Sequence, residues 1–112
     1  MDADQVARND AIYRDANERI KRAAEDYDVS GRLPFICECA DPECRSVVPL
    51  TMSEYEEIRA HPTHFLNLPG HAEGADHYAA TVRKADGYIV VEKVGEAGEV
   101  AEGLDPREAR HG

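Results

Sequence analysis

Residues 37–44 read CECADPEC and place three cysteines within eight positions, in a C-x-C-x4-C pattern. On an extended segment, side chains two residues apart point to the same face, so Cys37 and Cys39 can both face one ion. The dipeptide Asp41-Pro42 is typical of a turn, which would bring Cys44 back toward them. Three thiolates in one short loop suit a soft, tetrahedral ion, and zinc is the commonest occupant of such sites. The loop is therefore predicted to bind Zn²⁺.

Two other interpretations of the three cysteines remain open. Buried cysteines often serve as small hydrophobic residues, although the polar neighbours Glu38, Asp41 and Glu43 make that use less apt here. A disulfide between two of them, with the third thiol free, is the other alternative. An odd number of cysteines cannot pair completely, so metal binding is favoured in a reducing compartment.

The predicted ion needs a fourth protein ligand, and five histidines are candidates: His61, His64, His71, His77 and His111. His71 is the first choice because it follows the Pro69-Gly70 turn at the end of a predicted strand, where the backbone changes direction sharply. His64 is the second choice because it lies just after a predicted helix, within reach of the loop. The sequence therefore predicts one zinc ion held by Cys37, Cys39, Cys44 and His71.

The segment before the cysteines predicts one long helix over about residues 4–27, which contain neither Pro nor Gly. Large residues recur every seven positions and alternate with small or polar ones, in the order Val6, Asn9, Tyr13, Ala16, Ile20, Ala23, Tyr27. Such a narrow seam suits packing against one partner surface. That surface is either the rest of this domain, which we favour, or a second copy in a homodimer.

The segments after the long helix predict short strands and one short helix. Strands are expected at residues 35–37, 46–50, 65–68 and 88–94. A capping box, Thr51 with Glu54 or Ser53 with Glu56, predicts a helix over about residues 52–60 that ends before Pro62. Residues 72–86 are ambiguous, with a weakly helical stretch around 76–84. From Gly95 the chain is rich in Gly, Ala and Glu, which predicts a flexible acidic tail.

These elements together predict an α+β fold: a long N-terminal helix and a small antiparallel sheet with a zinc-binding loop and one or two short helices. We divide the chain into an amphipathic helix (residues 1–30), a zinc-stapled core (residues 31–94) and a flexible tail (residues 95–112). At 112 residues the hydrophobic core is modest, so a metal staple would add useful stability.

The formal net charge of −10, without a compact Lys/Arg run, disfavours direct nucleic-acid binding and fits a basic protein partner better. No apolar stretch approaches the roughly 20 residues that span a bilayer. The N-terminus lacks the basic start and apolar core of a signal peptide. We therefore expect a cytoplasmic protein that does not enter membranes.

The motifs also resemble those of a group of small bacterial proteins that has no established function. The group's pattern is F-x-C-E-C-x-D-x-x-C, L-T-x-x-E-Y-x-x-x-R, P-x-x-F, P-G-H and Y-x-V-V-E-K. It appears here at residues 35–44, with the Asp at position 41, then at 50–59, 62–65, 69–71 and 88–93. Because P-G-H belongs to the pattern and His64 does not, the resemblance favours His71 as the fourth ligand. It implies no activity.

The sequence favours a binding function over catalysis. His71-Ala72-Glu73 matches the H-x-E element of zinc deaminases, but the P-C-x-x-C that should follow it is missing. Four protein donors would leave the ion no open position, as in structural sites. We therefore predict a zinc-stapled protein-interaction or regulatory adaptor module, not an enzyme. The alternative is a thiol-based redox sensor that releases zinc on oxidation.

Overall fold

The computed structural model describes residues 2–71 and 79–107 and has a mixed α+β architecture. This confirms the fold class predicted from the sequence. The elements, in chain order, are α1 (Ala3–Asp26), β1 (Arg32–Ile36), β2 (Val47–Thr51), α2 (Met52–Arg59), β3 (His64–Asn67), β4 (Ala79–Ala85), β5 (Tyr88–Lys93) and α3 (Gly95–Gly103). Among the described residues, no helix is long and apolar enough to cross a membrane.

The strands form two small antiparallel sheets. In the first sheet β1 pairs with β2, and Phe35 lies opposite Val48 on the buried face. The second sheet has the order β3-β5-β4. Strands β4 and β5 are joined by the Asp86-Gly87 turn, in which Gly87 has a φ of +87°, a left-handed conformation that glycine adopts without a steric penalty.

Helix α1 packs along one side against its own domain. Val6 and Tyr13 of the predicted seam are buried, whereas Tyr27 at the far end is 82% exposed. The helix contacts both α3 and β1. The first part of the seam, around Val6 and Tyr13, therefore packs within the chain. The buried face is also wider than the seam and includes the polar residues Asp10, Arg14 and Asn17.

Helix α2 begins with the predicted capping box at Thr51. The Thr51 hydroxyl accepts a hydrogen bond from Glu54 N at 3.1 Å, and the Glu54 carboxylate accepts one from Thr51 N at 2.9 Å. This arrangement satisfies backbone groups that a helix start leaves without partners. The helix directs Tyr55 and Ile58 into the main core, where the Tyr55 ring stacks on Phe35 with their centroids 4.3 Å apart.

The prediction of a flexible tail from Gly95 is wrong for residues 95–103, which form α3. Ala97 and Ala101 are fully buried and belong to a small core that α3 shares with α1 and the second sheet. A Cβ atom at Gly98 would lie 2.7 Å from the Lys93 carbonyl oxygen. The Ala and Gly residues, whose abundance suggested a flexible tail, therefore allow α3 to pack closely against the rest of the domain. Residues 108–112 lie outside the described part of the chain.

The weakly helical interpretation of residues 76–84 is also wrong where the structure describes them. Residues 79–85 form β4, because β5 offers a strongly strand-forming partner and this pairing outweighs the local Ala propensity. Strand β4 lies at the edge of its sheet and is mostly exposed. Residues 72–78 lie outside the described part.

Five charged residues tie the segment after α3 to helices α1 and α2, and we call them the ionic cluster: Glu18, Glu56, Arg59, Asp105 and Arg107. The buried Arg59 guanidinium lies 2.6 Å from an Asp105 carboxylate oxygen and also pairs with Glu18. Arg107 pairs with Glu18 and Glu56, both at 2.8 Å. Burial alone would raise the pKa of Asp105, but the hydrogen bonds from Arg59 bring it below the usual value of 3.8.

Candidate metal centre

The three cysteines lie in the loop between β1 and β2, and we call residues 37–44 the metal loop. Cys37 directly follows β1, and its N–H donates to the Ser46 carbonyl at 2.9 Å, which extends the strand pairing into the loop. The Asp41 side chain accepts from Glu43 N at 2.9 Å, and its carbonyl accepts from Cys44 N at 3.1 Å. These bonds form the turn predicted at Asp41-Pro42 and return Cys44 toward Cys37.

His71 is brought to the metal loop by the turn that follows β3. The His71 N–H donates to the Leu68 carbonyl at 3.1 Å. Gly70, between them, has a φ of +87°, a left-handed conformation that favours glycine. The Leu68 N–H in turn donates to the Cys37 sulfur at 3.3 Å. The same short turn therefore positions the imidazole and hydrogen-bonds one of the sulfurs.

The four predicted ligands converge on one point. Donor atoms of Cys37, Cys39, Cys44 and His71 all lie within 4.8 Å of one another. His71 Nδ1 is 3.5 Å from the Cys37 sulfur and 3.6 Å from the Cys44 sulfur. A tetrahedral zinc ion, with Zn–S near 2.3 Å and Zn–N near 2.0 Å, requires an S···N separation of about 3.5 Å. The cluster could thus hold a metal ion.

The donors differ in their access to solvent. Cys37 and Cys39 are each 1% exposed and Cys44 is 9% exposed, while His71 is an exposed residue. All three cysteines are free thiols rather than disulfides. The sulfurs therefore lie on the buried side of the centre, and the imidazole lies on its solvent-facing side.

The hydrogen bond between Cys37 and Cys39 shifts the pKa values of the two thiols in opposite directions. The bond raises the pKa of Cys37, and burial adds to this effect. The same bond lowers the pKa of Cys39 to about 5. One thiolate is therefore stabilised by the neighbouring thiol. A bound cation would stabilise the remaining thiolates, because metal ligation requires cysteines in the deprotonated form.

His64, the second choice as fourth ligand, lies in a different contact. Its Nε2 atom is 3.1 Å from a Glu92 carboxylate oxygen, and its ring is 4.3 Å from the His61 ring between centroids. Neither histidine belongs to the cluster of donor atoms. His77 and His111 lie outside the described residues.

The sequence interpretation missed a role for Glu38, which it treated only as a polar neighbour of the cysteines. Glu38 is fully buried, and its carboxylate accepts hydrogen bonds from Leu66 N at 2.9 Å, Asn17 Nδ2 at 2.8 Å and the Tyr55 hydroxyl at 2.8 Å. Burial raises the pKa of Glu38, while these hydrogen bonds oppose the rise. The alternation of side chains could have indicated this position. In an extended segment, the residue between two cysteines that face the ion must itself face away from the ion.

Comparison of the chain with protein-family models, curated proteins and solved structures finds no match. The resemblance to the small bacterial proteins therefore stays a prediction.

Proposed function

We propose that this chain is a small zinc-binding domain in which the ion is structural. The observation that carries the proposal is the convergence of three cysteine sulfurs and one imidazole nitrogen within 4.8 Å. Sulfur-rich tetrahedral sites select zinc over hard cations such as Mg²⁺ and Ca²⁺. The ion would join the β1–β2 loop to the turn after β3, and so fasten the two sheets together.

A structural ion is favoured over a catalytic one by the donor count. Four protein donors complete a tetrahedral shell and leave no position for substrate or water. The burial of the sulfurs favours the same role, because thiols that sense oxidants are usually accessible to solvent. We therefore propose a non-enzymatic protein.

The surface supports a role as a protein-interaction or regulatory adaptor module. Ile12 on α1 is 65% exposed, and it adjoins a small, mainly apolar groove that Tyr13, Pro42 and Arg45 also line. A different protein is favoured over a second copy of this chain, because Val6 and Tyr13 of the helical seam are already buried. The net charge of −10 favours a basic partner. Three free cysteines are compatible with a reducing, cytoplasmic setting.

Elemental analysis of the purified protein and two ligand variants tests the metal proposal. The native chain should contain about one zinc per molecule, and Cys39→Ser and His71→Ala should lose the ion or bind it weakly. His64→Ala is the matched control, because it removes a histidine that pairs with Glu92 instead. Absence of zinc from the native chain would contradict the proposal, whereas loss in His64→Ala alone would assign the fourth ligand to His64.

Affinity purification after chemical crosslinking in cells tests the adaptor role. The wild type should recover the same basic protein reproducibly, and Ile12→Asp should lose it while still binding zinc. Arg19→Ala, at another exposed position of α1, is the control. Equal recovery by wild type and Ile12→Asp would remove this surface from the proposal.

The redox-sensor alternative is tested by adding stoichiometric peroxide and following zinc release. A structural site with buried sulfurs should release its ion slowly, because the metal loop must open locally before peroxide reaches the sulfurs. Rapid, complete release that is reversed by a thiol reductant would instead support redox sensing.

A further inference from the structure

We propose that Glu38 is a positioning residue for the metal centre, which holds the backbone of the metal loop in place from the face opposite the ion. This inference rests on the proposed zinc site. Glu38 lies between Cys37 and Cys39 in sequence, so fixing its side chain fixes the directions of both neighbouring sulfurs. Its N–H also donates to the Leu66 carbonyl at 2.6 Å, which pairs the loop with β3.

The three partners of Glu38 all present hydrogen-bond donors to its carboxyl group. Leu66 N and Asn17 Nδ2 can act only as donors, and the Tyr55 hydroxyl provides a third hydrogen. Each carboxylate oxygen thus accepts at least one bond, with the side chain fully buried. Three hydrogen bonds therefore fix the Glu38 side chain, and with it the backbone of the metal loop.

The three donors come from three different elements. Asn17 belongs to α1, Tyr55 to α2 and Leu66 to β3. Asn17 also bonds the backbone of Ile36, donating to its carbonyl and accepting from its N–H, both at 2.8 Å. The Glu38 carboxylate therefore joins the metal loop to both helices of the main core. Groups that orient metal ligands in this way typically change metal affinity about 10–100-fold when they are replaced.

Zinc release to a chromogenic chelator, measured in Glu38→Gln, tests this role. Glutamine keeps the shape, but its amide group must face Leu66 N–H or the Asn17 amide, so two donors oppose each other. We expect zinc release at least about tenfold faster than in the wild type. Cobalt-substituted protein should keep its thiolate charge-transfer bands, since the four ligands are unchanged.

Asp105→Asn is the control that distinguishes a positioning effect on the metal loop from a general loss of stability. Asp105 is also a buried carboxylate, but it bonds Arg59 and Arg107 rather than the metal loop. This variant should lose thermal stability and keep the wild-type release rate. Tyr55→Phe removes one of the three donors and should accelerate release about threefold, the effect of one modest hydrogen bond. If Glu38→Gln does not fold, the rate of zinc release from Tyr55→Phe tests the role of Glu38 instead.

The two proposals fail in different ways. Zinc bound by every variant and released at the wild-type rate would overturn the role of Glu38 and leave the zinc site standing. Equal acceleration in Asp105→Asn and Glu38→Gln would reduce Glu38 to a general stabilising residue and also overturn the inference. A wild-type chain without zinc would overturn both proposals.

Discussion

The metal loop and the ionic cluster both fasten a chain segment to the same helix, α1, but by different chemistry. The metal loop accepts hydrogen bonds from amide and hydroxyl groups of α1: Asn9 donates to the Ala40 carbonyl at 2.9 Å, and the Tyr13 hydroxyl to the Asp41 carbonyl at 3.0 Å. The ionic cluster holds residues 105–107 through carboxylate–guanidinium pairs. The first region should therefore depend on metal, and the second on pH and salt.

The largest expected effect is that of removing the metal. Chelation of zinc should lower the free energy of unfolding by about 4 kcal/mol or more, the stabilisation that a ligand gives at about 1,000 times its Kd. Chemical denaturation with and without a strong chelator measures this loss. A chelated protein as stable as the native one would mean that no bound metal stabilises the loop.

The next largest effect is expected from breaking the ionic cluster. Arg59→Ala should cost about 3 kcal/mol, because it leaves the Asp105 and Glu18 carboxylates without their buried partner. Zinc content should not change. Arg32→Ala is the control, since Arg32 is exposed and pairs with Glu54 at the surface, where such pairs contribute less than about 1 kcal/mol. Equal losses in the two variants would contradict the special role of the cluster.

The contribution of Asp105 should depend on pH. Its pKa in the folded chain lies below the usual 3.8, so its stabilising effect is complete above pH 3.8 and disappears as the pH falls through the folded-state value. The difference in melting temperature between wild type and Asp105→Asn should therefore be constant near neutrality and vanish in strong acid. A difference that grows on acidification would have the wrong sign.

The smallest of these effects concerns the cap of α2, the helix that links the two regions through Tyr55 and Arg59. Thr51→Ala removes the hydroxyl that accepts from Glu54 N and should cost about 1 kcal/mol. Zinc release should stay at the wild-type rate. Thr51→Ser, which keeps the hydroxyl, should restore most of the stability; failure to do so would mean that the loss comes from packing rather than capping.

The contrast between the two regions also explains what the sequence could predict. The cysteines of the metal loop are close in sequence, and the Pro69-Gly70 turn marks His71, so local rules sufficed to predict the four converging residues. The members of the ionic cluster are separated by up to 89 positions and resemble solvated surface charges. Only the packing of α3 brings Asp105 to Arg59. Glu38 was missed because a charged residue in a loop is expected to face solvent.

X-ray absorption at the zinc edge of the purified protein tests the central claim most directly. Our account predicts three sulfur neighbours at about 2.3 Å and one imidazole nitrogen at about 2.0 Å, with the imidazole signal lost in His71→Ala. A protein without zinc, a site with fewer than three sulfurs, or an imidazole signal that persists in His71→Ala would contradict it.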